Sequence, residues 1–193
     1  MNPKLRNLQR QIENFTPNCE QEERDQAVML RFLNNNDDCL ERTNLTAHFT
    51  ASSWIVNEVG NKVLMVYHRI YNSWSWTGGH ADGEWDLAAV AMREAKEETG
   101  IQKAEFADRE PVSLEILTVD GHEKKGVYVP SHLHLNLTYL LRAEEGQALF
   151  VKEDENSGVR WIDAAILNNY VSEPWMMDRI YAKLLRLHEV TAH

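Results

Sequence analysis

Basic residues are scarce in this chain relative to acidic ones. Lysine and arginine total 20, whereas aspartate and glutamate total 30, and the formal net charge is −10. A surface that neutralises a phosphate backbone is usually rich in lysine and arginine. The charge balance therefore argues against broad nucleic-acid binding.

Cysteine and long apolar runs are also lacking. The two cysteines, Cys19 and Cys39, form no Cys-x-x-Cys motif and are weak evidence for a disulfide framework. No segment approaches the roughly 18 consecutive apolar residues that cross a bilayer, and residues 1–10 are not followed by the apolar core of a secretory signal. We therefore expect a reduced, cytoplasmic protein with no membrane partner.

The hydrophobic content, 43% of 193 residues, is sufficient for one domain with an appendage. Residues 5–44 are polar, and the helical spacing of their apolar positions predicts two or three helices. From Ala47 onward, β-branched and aromatic runs indicate strands. We predict a helical extension over residues 1–45 and an α/β domain over residues 46–193.

The second part of the chain reads as strands, a helix, strands and a closing helix. The first two strands are predicted to form a hairpin around a turn at residues 57–61. Strands are predicted at 53–56, 62–67, 112–119, 133–141 and 161–162, and helices at 86–99 and 178–188.

The helix at residues 86–99 carries the most informative pattern. Asp86 is a good N-cap and Gly100 is a good C-terminal stop. The i, i+3, i+4 spacing of Glu94, Glu97 and Glu98 places three carboxylates on one narrow face.

This arrangement is unfavourable for an isolated helix, because each like-charged pair costs about 0.2–0.5 kcal/mol. Arg93 can pair with Glu97, but one guanidinium cannot neutralise three carboxylates. Leu87 and Val90 lie at matching angles in the preceding turns, so this face points toward a core. Clustered carboxylates are the ligands that Mg²⁺ or Mn²⁺ prefers, and the pattern therefore predicts a divalent cation.

A glycine-bearing stretch at residues 77–83 precedes the helix. A charged helix alone is most often simply solvated. Glycines, however, let the backbone approach a ligand closely, and a plain surface helix has no need of them. The loop and the acidic face together indicate a site.

At this point the sequence resembles the Nudix hydrolase family. The family's box is a glycine, five residues, a glutamate, seven residues, Arg-Glu, an aliphatic residue, any residue, Glu-Glu, any residue, a glycine and an aliphatic residue. Two positions depart from it, since Trp85 replaces the first glutamate and Ala95 is a small substitute for the aliphatic residue. The positions in register are Gly79, Arg93, Glu94, Glu97, Glu98, Gly100 and Ile101.

The resemblance implies a mixed β-sheet sandwiched between helices, with the box beside the active site. It implies hydrolysis of a pyrophosphate bond in a nucleoside triphosphate, or in a nucleoside diphosphate linked to another group, by water activated on Mg²⁺ or Mn²⁺. By position, Glu94, Glu97 and Glu98 hold the metal, the Gly79 carbonyl contributes, and Arg93 orients the glutamates.

The resemblance also identifies two open questions outside those positions. The family's first box glutamate ties the loop to the helix through the box arginine, and Glu84 and Asp86 flank Trp85 as possible substitutes. Many members use one further acid from another loop, and Glu155, shortly before Trp161, is our choice. Its competitors are Glu115, Asp120 and Glu123, and a solvated acidic loop is an equally good interpretation of the segment.

Residues 132–139 alternate strictly between polar and apolar side chains, as in a strand with one dry face. We expect His132 and His134 to line a substrate cleft, where they contact phosphate or act as an acid, although a solvent-facing strand surface fits almost as well. The two histidines also suit a transition metal, for which the sequence shows no third ligand. Trp76 is a candidate for stacking on a base, with core packing as the commoner role.

Two alternatives to a hydrolase remain. Trp85 favours a nucleotide-binding sensor that kept the fold and lost efficient hydrolysis. An isoprenoid diphosphate isomerase needs a cysteine near the cleft, whereas both cysteines precede the sheet. The partner is expected to be a small nucleotide, and the N-terminal helices either cover an edge or form a homodimer contact.

Overall fold

Two helices precede the sheet in the computed structural model, which describes residues 3–69, 72–124, 126–152 and 156–190. They are α1 (Pro3–Asn14) and α2 (Glu20–Asn35), and the later helices are α3 (Leu87–Thr99) and α4 (Ala182–Val190). The strands are β1 (Ala47–Asn57), β2 (Lys62–His68), β3 (Ser73–Ser75), β4 (Thr77–His80), β5 (Ala104–Phe106), β6 (Ser113–Val119), β7 (His122–Lys124), β8 (Val127–Val129), β9 (His132–Ala143) and β10 (Asn156–Asp163).

Eight of these strands form one mixed sheet in the order β10-β2-β1-β9-β5. Strand β4 pairs with β1, β3 with β2, and β6 with β9, while β7 and β8 form a separate hairpin. The long central pair β1–β9 is parallel and runs from Ala47 opposite Leu133 to Asn57 opposite Ala143. The other pairs of the large sheet are antiparallel.

Helices cover both faces of this sheet. On one face, Phe49 and Leu135 pack in a core that α1, α2 and α3 complete with Leu8, Met29 and Leu87. On the other, residues such as Trp54 and Leu140 pack against the C-terminal segment, which contains a 3₁₀ helix (Ala164–Asn169), a π-helical turn (Met176–Tyr181) and α4. The predicted α/β class, a mixed sheet between helices, is confirmed. Among the described residues, no helix combines the length and apolarity that a bilayer span requires.

The hairpin and the box helix match the prediction, whereas the short strands β3, β5, β7 and β8 were not predicted, and the strand predicted at 161–162 is the longer β10. The closing helix predicted at 178–188 begins as a π-helical turn. The hairpin is confirmed, with Ile55 of β1 opposite Leu64 of β2. Part of the glycine stretch, predicted as a loop, forms β4 along β1. Gly78 allows this pairing, because a Cβ there would lie 2.5 Å from the Ser52 hydroxyl and 2.9 Å from the Ala51 carbonyl oxygen.

Candidate metal-binding site

The box helix begins and ends where its sequence predicts. The Asp86 side chain accepts a hydrogen bond from the Ala89 amide at 3.1 Å, which caps the N-terminus of α3. At the other end Gly100 adopts φ +80°, and its amide donates to the Lys96 carbonyl at 2.9 Å. These two caps define the limits of the helix that carries the acidic face.

Glu98 is held in place at the inner side of that face. Only 4% of it is exposed. Its Oε1 accepts a hydrogen bond from the Gly78 amide, and its Oε2 accepts one from the Asn156 side-chain amide, each at 2.9 Å. The two hydrogen bonds orient the Glu98 carboxylate before any ligand arrives.

Glu94 lies directly against the second glycine of β4. A Cβ at Gly79 would lie 2.4 Å from the Glu94 carboxyl carbon, which leaves room for no side chain there. Arg93 donates to Glu94 Oε1 at 3.1 Å. The helix therefore brings a carboxylate against Gly79, whose carbonyl is predicted to join the three glutamates as a metal ligand.

Glu97 is the most accessible of the three acids, with its side chain 49% exposed. Its nearest cations are Arg93 Nε and Lys152 Nζ, both at 3.9 Å. These distances exceed a hydrogen bond, so the carboxylate is compensated without being locked. Carboxylates from one helix face, beside a backbone carbonyl, are a hard oxygen donor set that fits Mg²⁺ or Mn²⁺.

Trp85 occupies the position where the family's box has its first glutamate, and it packs against the core that α1, α2 and α3 share. Neither flanking acid is directed to the box arginine by its hydrogen bonds. Glu84 accepts from the Asp86 amide at 2.9 Å, and Asp86 pairs with Arg109 at 2.5 Å.

The segment before β1 ties down the loop instead. Arg42 donates two hydrogen bonds of 2.6 Å to the two carboxylate oxygens of Asp82, which lowers the pKa of Asp82. The Gly83 amide donates to the Leu40 carbonyl at 3.1 Å. The bidentate pair thus connects the box loop to a residue outside the box.

A second group of potential ligands is formed by histidines. Among the described residues, the one group of three or more such side chains whose donor atoms approach within 4.8 Å of one another is His48, His80, His132 and His134. We call it the four-histidine cluster, and it does not include the box glutamates. The sequence predicted functional roles for His132 and His134 and missed His48 and His80, because only strand pairing brings them together.

Burial favours the neutral form of three of these imidazoles. It lowers the pKa of His134 to about 2 and that of His80 to about 3, with neighbouring imidazoles and Arg42 as lesser causes. The pKa of His48 is lowered for the same main reason. Neutral imidazole is the form that ligates a metal.

The polar face of β9 beyond the histidines is neither solvent-facing nor an open cleft. Asn136 and Thr138 are buried, and both donate to Glu115, at 3.1 and 2.9 Å. Glu115 in turn lies 3.3 Å from the ammonium of Lys183. Desolvation raises the pKa of Glu115, and its engagement by these partners makes it a structural carboxylate.

The remaining predicted residues are less informative. Trp76 is 7% exposed and lies edge-on to Tyr181, with ring centroids 5.4 Å apart, an environment typical of core packing. Glu155 lies outside the described residues. Asp120 and Glu123 are exposed residues around the β7–β8 hairpin. Asn156, which the sequence did not single out, orients Glu98; it directly follows our chosen acid, but nothing local marks it.

A mixed sheet with an acidic helix packed against a glycine-bearing strand defines the class of the protein as α/β. The chain belongs to the Nudix family, because the model of the NUDIX domain matches residues 46–187. A search of curated proteins returned no significant match.

Solved structures support the same fold. The chain is similar to an Ap4A hydrolase of C. elegans (20% identity, TM-score 0.53), with 74% of this chain and 95% of that one covered. It is also similar to the E. coli dihydroneopterin triphosphate pyrophosphohydrolase (16%, TM-score 0.53, 72% and 95% covered). The Nudix hydrolase RenU of M. smegmatis matches at 18% identity and a TM-score of 0.51, with 75% and 86% covered.

Proposed function

We propose that this protein is a metal-dependent hydrolase of the pyrophosphate bond in a nucleoside triphosphate, or in a nucleoside diphosphate linked to another group. The observation that carries the proposal is the junction of α3 and β4. There, Glu98 is bound to the Gly78 amide and Glu94 lies against Gly79. A solvated surface helix has no reason to present two acids to a glycine strand.

The roles follow from these contacts. Glu94, Glu97 and Glu98 are the proposed metal ligands, joined by the Gly79 carbonyl, and Mg²⁺ or Mn²⁺ would supply a water of lowered pKa and neutralise phosphate charge. Arg93 orients Glu94 through a hydrogen bond of 3.1 Å and compensates the charge of Glu97 from 3.9 Å. Glu155 remains our proposed further acid, testable as Glu155→Gln.

The proposed substrate is a small nucleotide. A net charge of −10 is compatible with an anionic substrate, because the metal reverses the local sign at the site. Proteins of similar fold include an Ap4A hydrolase and a dihydroneopterin triphosphate pyrophosphohydrolase. A screen should therefore contain diadenosine tetraphosphate, dihydroneopterin triphosphate, ADP-ribose and the nucleoside triphosphates.

Glu97→Gln is the sharpest test of the site. Glu98→Gln is a less specific test, because the new side-chain NH₂ would face either the Gly78 or the Asn156 amide donor. That unsatisfied contact would destabilise the fold by about 1–3 kcal/mol. Half-exposed Glu97 makes no contact shorter than 3.9 Å to its two cations, so its variant should fold normally. Glu105→Gln, at the exposed middle position of β5, is the matched control.

We expect Mg²⁺-dependent product from at least one compound, a loss of about 100-fold or more with Glu97→Gln, and no change with the control. Product should be followed by chromatography, with circular dichroism to verify folding. Equal turnover by Glu97→Gln, or turnover that persists in a chelator, would contradict the proposed site.

A nucleotide sensor is the second candidate, and Trp85 favours it. This side chain packs into the core where the family has a glutamate. Tight nucleotide binding by calorimetry, without product from any compound of the screen, would support the sensor over the hydrolase.

A further inference from the structure

Three strands deliver the four histidines to one face of the sheet. His48 of β1 is opposite His134 of β9 in the parallel ladder, and His132 is two residues earlier on the same face. His80 of β4 is opposite Thr50, which shares the face of His48. The shared face and the 4.8 Å limit on donor separations show that the rings converge.

Hydrogen bonds to the backbone determine which nitrogen of two rings is free. The Nδ1 atoms of His48 and His132 lie 3.1 and 2.9 Å from the carbonyl oxygens of Asn44 and Pro130. In the neutral ring, donation from Nδ1–H leaves a lone pair on Nε2. Histidines that ligate metals are commonly held by such a bond from the other ring nitrogen.

The Nε2 atoms of these rings are placed as metal ligands would be. The His48 side chain is buried, with 3% of the residue exposed, and its Nε2 atom has no hydrogen-bond partner. Nε2 of His132 lies 3.2 Å from Nε2 of His134, a hydrogen-bond contact that a metal bound to both nitrogens would replace. Two nitrogens bound to a tetrahedral Zn²⁺ are roughly 3.3–3.4 Å apart, from Zn–N bonds of about 2.0–2.1 Å.

We propose that the four-histidine cluster binds a divalent transition-metal ion of the Zn²⁺ class. Imidazole donors select such ions, whereas Mg²⁺ prefers oxygen. Four protein ligands fill a tetrahedral shell, as in structural zinc sites. The metal joins the beginnings of β1 and β9 to the end of β4 and satisfies the orphaned nitrogen of His48.

This site is separate from the proposed pyrophosphate site. Gly79 and His80 are consecutive residues of one strand, so their Cβ directions point to opposite faces of the sheet. The Gly79 side faces Glu94 of α3, whereas His80 faces the histidines. The inference goes beyond the proposed hydrolase and does not depend on it.

The test is a Zn²⁺ titration of the tag-free, metal-stripped full chain by calorimetry, in the presence of excess Mg²⁺. The variants are His134→Gln and His80→Gln, both at half-buried positions. His122→Gln, on β7 outside the cluster, is the matched histidine control, and Glu97→Gln excludes zinc bound to the box acids.

We expect one Zn²⁺ per wild-type chain, a melting temperature that rises with Zn²⁺ and falls again with chelator, and visible Co²⁺ absorption of tetrahedral type. Each cluster variant should weaken binding at least tenfold, whereas His122→Gln and Glu97→Gln retain it. If one cluster variant fails to fold, the other and the wild-type Co²⁺ spectrum decide. Absence of Zn²⁺ binding, an octahedral Co²⁺ spectrum, or undiminished affinity in the folded cluster variants would overturn the proposal, whatever the hydrolase assays show.

Discussion

Lys183 offers a stability prediction that follows directly from charge burial. Its ammonium, 8% exposed, lies 2.8 Å from Glu22 of α2 and 3.3 Å from Glu115 of β6, and those side chains are 1% and 0% exposed. Lys183→Met would leave two carboxylates without their counter-ion in the interior. Removing one partner of a buried ion pair typically costs about 3–5 kcal/mol.

The destabilisation caused by Lys183→Met should depend on pH, and the pKa of Glu115 determines in which direction. Burial raises the folded-state pKa of Glu115, so the protonated form contributes stability that is present at low pH and lost as pH rises through that pKa. Without the ammonium, which opposes this effect, the folded-state pKa of Glu115 should rise further. The cost of Lys183→Met should therefore grow from pH 5 to pH 8.

Thermal unfolding followed by tryptophan fluorescence measures this cost. For a chain of this size, about 3–5 kcal/mol corresponds to a decrease in melting temperature of roughly 6–20 °C at neutral pH. Lys62→Met is the matched control, since its pair with Glu145 is 37% and 38% exposed and is screened by solvent, so its loss should change stability little. A decrease below that of the control, or one that is independent of pH, would refute the reasoning.

Two further predictions concern the box loop. Gly79→Ala must displace Glu94, because its Cβ would lie 2.4 Å from the Glu94 carboxyl carbon. The proposed activity should therefore fall about 100-fold while the fold persists. Gly146→Ala, whose Cβ would have no atom within 4 Å, is the control and should change neither the activity nor the fold. Arg42→Ala removes the bidentate pair with half-exposed Asp82, so the melting temperature should change little while kcat/KM falls about tenfold. Arg42→Lys should restore activity only in part, because one ammonium cannot reproduce both hydrogen bonds. A large melting shift with unchanged kcat/KM would show that the Arg42 pair is merely structural.

The features that the sequence predicted well are those encoded by neighbouring residues. The caps of α3, the hairpin β1–β2 and the dry face of β9 each depend on residues a few positions apart. The glycine stretch at residues 77–83 was predicted to be a loop over its whole length, but its first four residues form β4, which exists only through its pairing with β1. Glycine frequency indicates a break in regular structure, and the close approach to Ser52 that requires Gly78 is a long-range contact.

The site was predictable to the same extent. The box acids lie within five residues of one helix, so their shared face follows from helical spacing alone. The four histidines span residues 48 to 134, and their convergence requires the parallel register of β1 with β9 and the antiparallel register of β1 with β4. The Arg42–Asp82 pair likewise crosses 40 positions.

Strand β4 links the box glutamates to the four-histidine cluster. Its Gly78 amide orients Glu98, its Gly79 accommodates Glu94, and the next residue, His80, belongs to the four-histidine cluster on the opposite face. A metal that fixes His80 relative to β1 and β9 would also restrict the backbone that positions both glutamates. Because a displacement of about 1 Å in a catalytic group can cost 100-fold in rate, the cluster would influence hydrolysis without contacting the substrate. The proposed zinc ligand is thus a positioning element of the box, and its loss should lower kcat more than it raises KM.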